Sequence, residues 1–165
     1  MKNTKLVVIF FLFHLCGHVY LLSQNPRLFF HQLTIKEGLS ENSVRHIIED
    51  PRGFMWFGTS DGVNRYDGYN FRVYKKNNNE PYSISYGDIK DFFIDSKGNL
   101  WVGTRNGINL YDHLHDRFYN FHSKDYPALR GVDGDIESIE EDEEGNIWVS
   151  AGVDGVYRLS SSLKN

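Results

Sequence analysis

The chain has 165 residues, with 18 basic and 22 acidic side chains and a formal net charge of −4. That balance excludes a general affinity for nucleic acid or for anionic membrane surfaces. Hydrophobic content of 40% and a mean hydropathy of −0.48 fit a domain that works in water.

The first segment reads as an export signal. Lys2 and Lys5 precede an apolar run over residues 6–15 that only His14 interrupts, and Gly17 and His18 dilute the stretch up to Leu22. This is short for a spanning helix. Leu21-Leu22-Ser23 before Gln24 is a usable but unideal cleavage site, its first position being larger than the small residue expected. Residues 1–23 are therefore expected to be a signal peptide, with an uncleaved membrane anchor as the alternative. Cys16, the single cysteine, lies inside this segment without the small preceding residues that lipidation requires. After cleavage no thiol chemistry is left. Residues 24–37 contain Phe29-Phe30-His31-Gln32-Leu33-Thr34-Ile35, a strand-like run that belongs to no repeat.

From residue 38 the chain repeats itself. Asp50-x-x-Gly53-x-x-Trp56-x-Gly58, with Gly62 and Tyr66 following, returns as Asp95, Gly98, Trp101, Gly103, Gly107 and Tyr111. A third copy has Asp142, Gly145, Trp148 and Gly155, with Ser150 in place of the second glycine and one extra residue before Gly155. These tryptophans are the chain's three, and a β-branched residue (Val44, Ile89, Ile136) stands 12 positions before each. A period of this length with Gly-Trp signatures points to a propeller or a solenoid.

Each unit reads as four short antiparallel strands, A to D. Asp-x-x-Gly is hairpin chemistry: the Asp side chain accepts a bond from the backbone two residues on, and Gly takes the positive-φ position. Ser60-Asp61-Gly62 and Arg105-Asn106-Gly107 mark the second turn, and Asp67-Gly68 or residues 112–116 the third. In strand A the pairs Val44/Ile47, Ile89/Phe92 and Ile136/Ile139 have helical spacing, but a run of about seven residues ending in a hairpin turn is too short for a helix. The fold class is all-β, with four-stranded blades of a β-propeller. The blades span residues 38–80, 81–127 and, incompletely, 128–165. The tryptophans, Gly58, Gly103 and the tyrosines are expected to pack between neighbouring blades, glycine allowing close approach of backbones. About three blades leave the ring incomplete, since propellers typically have four to eight. Residues 24–37 would supply the outer strand that closes it, and the chain reads as a fragment.

No constellation supports catalysis, and no metal or cofactor is expected. His113 and His115 sit in a turn with no third ligand nearby. Asp133-Gly134-Asp135 starts like a calcium loop but lacks its later Gly and Glu. Gly131 and Gly134 have no phosphate-loop spacing. Binding residues are instead expected where the D-to-A and B-to-C connections share one face: Asn42, Asp61, Asp88, Arg105, Asn106, Asp135 and Asp154. Polar turns with no ligand are the plain alternative.

Gly38-Leu39-Ser40 leading to Val44, the run from Asp50 to Gly68, and the copy from Ile89 to Asp112 resemble the regulator propeller repeat of Bacteroides-type hybrid two-component sensor histidine kinases. The resemblance covers residues 29 to about 160 and is weakest in the third copy. It implies a periplasmic ligand-sensing region, often for an oligosaccharide. In relatives a membrane helix, kinase, receiver and often a DNA-binding domain follow. Partners implied are the remaining blades, the membrane and kinase parts, and a homodimer. No residue of this chain matches a kinase motif, so no enzymatic activity is expected of it. Two other readings compete: an exported propeller hydrolase or lyase with catalytic residues on the same loop face, and a secreted protein-interaction propeller.

Overall fold

The computed structural model describes residues 28–121, 132 and 134–160. The predicted signal segment, Cys16 and much of the loop entering the third blade lie outside these residues. Residues 1–32 group apart from 33–165. In the first group, Leu28, Phe29 and Phe30 are strongly exposed and belong to no strand.

The second group holds three antiparallel sheets. The first contains β1 (His46–Glu49), β2 (Met55–Thr59), β3 (Gly62–Tyr66) and β4 (Phe71–Tyr74) in that order. The second contains β5 (Ile89–Ile94), β6 (Leu100–Thr104), β7 (Gly107–Asp112) and β8 (Arg117–Asn120). The third contains β9 (Ile136–Glu141), β10 (Ile147–Ala151) and β11 (Val156–Leu159). All pair as up-and-down meanders, which is the construction of propeller blades. The expected strand over Phe29–Ile35 is not formed among the described residues: no sheet edge pairs with it, and a strand exists only through its ladder.

The helical spacing in strand A has a physical cause. Ile89 pairs with Thr104 and Asp91 with Gly103, so Lys90 is an extra, bulged residue; Glu137 is bulged in the same way between Ile136 and Ser138. A bulge shifts the alternation by one. Ile89 and Phe92, and likewise Ile136 and Ile139, therefore face the core together, at 0%, 8%, 0% and 2% exposure.

Two cores lie between blades. Trp56, Val63, Ile89, Phe92, Leu100, Val102, Tyr111 and Phe118 form one; Trp101, Ile108, Val132, Ile136, Ile139, Ile147, Val149 and Ala151 form the other. Glycine is required at Gly58 and Gly103. A Cβ there would lie 2.7 Å from Ile89 Cγ2 and 2.6 Å from Ile136 Cγ2, so the close approach is by a side chain of the next blade. Tyr111 packs edge-on against Trp56 across the interface, with centroids 4.7 Å apart. Tyr66 does not: it packs on Phe71 of its own blade and donates to the Gly68 carbonyl.

Two details of the repeat fix local geometry. Asp50, Asp95 and Asp142 each accept from the backbone two residues on and also from their own tryptophan, Trp56 Nε1 and Trp101 Nε1 at 3.0 Å and Trp148 Nε1 at 2.7 Å. A buried relay also runs from Asn64 to Ser40, Thr59 and the Gly62 carbonyl, and again from Asn109 to Ser85, Thr104 and the Gly107 carbonyl. In the third blade Tyr157 takes the register position of the Asn, and Val132 and Ala151 stand for Ser and Thr. All three polar members are replaced together, so no buried polar group is orphaned.

Candidate ligand-binding face

The loop face is stitched together by backbone bonds from each B-to-C turn to the next blade. Gly62 N donates to Gly87 O at 2.8 Å, and Gly107 N to Gly134 O at 2.9 Å. Across it runs a chain of ion pairs: Arg45 to Asp88 at 2.9 Å, Asp88 to Lys90 at 3.4 Å, and Lys90 to Asp135 at 3.6 Å. Bulging turns Lys90 out of the ladder and toward both acids.

The predicted residues therefore divide. Asp88 and Asp135 are brought together through Lys90 and fasten neighbouring blades. Asn42 Oδ1 accepts from Ile35 N at 3.0 Å and ties down the chain entering the first blade. Asp61 is exposed and pairs with Lys75. Asn106 is half-buried, its backbone N–H donating to Thr104 Oγ1. Arg105 and Asp154 are exposed, and neither has an ion pair among the described residues. Asp154 lies over Gly134, whose Cβ would sit 3.1 Å from Asp154 Oδ2. The signal for Arg45 and Lys90, which sequence reasoning missed, is that both stand 11 positions before a tryptophan.

A second polar centre, unforeseen, joins the outer strands of the first two blades. Asp116 Oδ1 accepts from Tyr74 and Tyr111 hydroxyls at 2.5 Å each and from Arg65 at 3.1 Å, while Oδ2 takes Arg72 at 2.7 Å. Its φ is 54°, a left-handed conformation that Asp tolerates better than most residues. Burial pushes its pKa up, but the Tyr111 and Tyr74 bonds and the two guanidinium charges outweigh this and leave it below the ordinary value. Burial, and after it the bond to Asp116, push the Tyr74 and Tyr111 hydroxyls upward, against the opposing charge of Arg65. Beside this centre is a cavity of about 380 Å³ lined by Arg72, Tyr74, Lys75, Tyr82 and Arg117 among others. Its cations are already partnered, by Asp116, Asp61 and Asp112. The cavity is therefore close to charge-balanced and is no anion trap.

Among the described residues no group of three or more His, Cys, Asp or Glu side chains is placed to hold a metal ion. No helix among them is long and apolar enough to cross a membrane.

Residues 38–61 and 83–106 match the two-component regulator propeller family. Histidine kinase P4 of Formosa agariphila is 41% identical over 67 residues, which are 41% of this chain and 5% of that protein. In structure the chain is similar to the extracellular domain of BT4673 from B. thetaiotaomicron, described as a one component system. The TM-score is 0.65 at 23% identity, over 79% of this chain and 18% of that one. A second structure of that domain, described as part of a hybrid two component system, gives 0.56 at 24% identity over 68% and 16% of the two chains. These likenesses establish the propeller fold, and the chain spans only a small part of each relative. Its first two blades carry the two-component regulator propeller repeat.

Proposed function

We propose that this chain is an exported sensor segment of a two-component signalling protein, receiving a stimulus outside the cytoplasm and performing no catalysis itself. The observation that carries this is the pair of regulator repeats together with the 67-residue match to a histidine kinase. The relatives are several times longer, so the reading places further blades, a membrane helix and a kinase core in the full-length protein, with this chain a truncated part of it. The stimulus in this reading is an oligosaccharide, taken at the loop face.

What supports that face is chemical. Arg105 and Asp154 stand exposed on it, next to the half-buried Asn106, on a frame that ion pairs hold rigid. A guanidinium, an amide and a carboxylate can together pair with ring hydroxyls. Isothermal titration calorimetry against neutral and acidic di- to hexasaccharides tests the proposal. Saturable binding by one class, weakened at least about tenfold by Arg105→Ala or Asp154→Ala, is the expected result. Binding that survives both substitutions would move the site elsewhere. Release of reducing ends during the titration would turn the reading toward an enzyme.

A further inference from the structure

Both blade-to-blade contacts obey the same two rules. The residue 11 positions before one tryptophan reaches the acid 13 positions before the next, Arg45 to Asp88 at 2.9 Å and Lys90 to Asp135 at 3.6 Å. The glycine two positions after the tryptophan forms a notch that receives the next blade's β-branched side chain, Ile89 on Gly58 and Ile136 on Gly103.

The third blade breaks both rules. Exposed Glu137 occupies the bulge position of Lys90. Ser150 occupies the notch, pairing with Ser138 as Gly103 pairs with Asp91 and Gly58 with His46. The face continues an established interface, yet none of the described residues covers it: Trp148 is 38% exposed where Trp56 and Trp101 are at 0% and 3%.

We infer that this face is a docking surface for one further antiparallel blade, whose first strand carries Lys or Arg at the position of Asp88 and a residue no larger than Ala at the position of Ile89. The charge follows from Glu137, which would repel a second acid and attract a cation. The size follows from the Ser150 side chain, which fills the space that an isoleucine methyl takes in the other two interfaces. A second copy of this chain does not meet the specification, because its first blade offers Ser43 and the β-branched Val44 at those positions. The inference shares with the proposed function the premise that further blades exist, and its residue specification rests on the repeat geometry alone, so the two can fail separately.

The test puts the specified pair onto the first blade of the full chain, as Ser43→Lys with Val44→Ala. One molecule then carries both halves and should associate head to tail. Sedimentation velocity should show self-association at least about tenfold tighter than wild type, with Trp148 shielded from acrylamide quenching. Adding Glu137→Lys should cancel the gain. Since trimming Val44 could loosen the first blade, Ser150→Gly in an otherwise unchanged chain gives a second reading: it reopens the notch, Val44 now fits, and association should again tighten. Three outcomes overturn the inference: a wild-type chain that already associates with Trp148 covered, no tightening in either variant, or association indifferent to Glu137→Lys.

Discussion

Asp95 shows how much one side chain of the repeat does. Its Oδ1 accepts from Lys97 N at 3.0 Å and Asn99 N at 2.8 Å, while its Oδ2 accepts from the buried Trp101 Nε1 at 3.0 Å. Removing it leaves a buried indole N–H without a partner and opens the turn. Asp95→Ala should therefore cost about 2–4 kcal/mol, read from urea unfolding. Asp142→Ala should cost clearly less, because its tryptophan is partly exposed. These carboxylates also predict a pH dependence. For Asp50 and Asp95 burial pushes the pKa up, but bonds from tryptophan, backbone and neighbouring Arg52 or Asn99 outweigh it and hold both below the ordinary value; Asp142 is lowered to about 2. A folded pKa below the unfolded one means stability that is fully present above about pH 4 and lost as pH falls toward about 2. Urea midpoints measured from pH 6 downward should drop in that window, and Asp95→Asn should shrink the drop. The turn bond was legible in the sequence from Asp-x-x-Gly. The tryptophan bond was missed, although its signal, a constant six-residue Asp–Trp spacing, is present in all three copies.

At the scale of the strand, the bulge explains what sequence reading could only overrule. Apolar residues three apart looked helical because a bulge at Lys90 or Glu137 inserts one residue between them. The same bulge sends a charged side chain to the loop face, and so the acids expected to bind a ligand, Asp88 and Asp135, became partners of Lys90. Sequence shows that a turn is polar but not which charge of another blade it meets, since Arg45 and Asp88 lie 43 residues apart and Lys90 and Asp135 lie 45 apart. The same limit applies to the tyrosines: Tyr111 has a blade beside it and is 5% exposed, whereas Tyr66 has the same motif position and packs within its own sheet. The notch glycines were foreseen as sites of close approach, and the prediction at this scale concerns them. Gly103→Ala would put a methyl 2.6 Å from Ile136 Cγ2, which forces the strands apart. A loss of about 1–3 kcal/mol is expected in urea unfolding. Ser150→Ala, on the uncovered face, should stay within about 0.5 kcal/mol.

Within the unit over residues 33–165, the described blades form a stack in which each core is shared between sequence neighbours. The first core draws on blades one and two and the second on blades two and three. This order was legible from the repeat period alone. What was not legible is which faces are covered, because covering depends on elements outside the repeat; Trp148 sits in the same motif position as Trp56 and Trp101 and is 38% exposed. A stack of this kind has stabilities that are sums of unit and neighbour terms, so damage to one interface should stay local. The two notch glycines give a matched pair of probes. Gly58→Ala loosens the joint between blades one and two, and Gly103→Ala the joint between blades two and three. Native-state hydrogen exchange should then show amides of β9, β10 and β11 exchanging about tenfold faster in Gly103→Ala, as a loss of about 1.4 kcal/mol requires, with β1 to β4 unchanged. Gly58→Ala should reverse the pattern. Faster exchange spread evenly over all eleven strands in both variants would mean that the blades unfold as one cooperative unit, and that the chain of ion pairs from Arg45 to Asp135 couples them more strongly than packing alone.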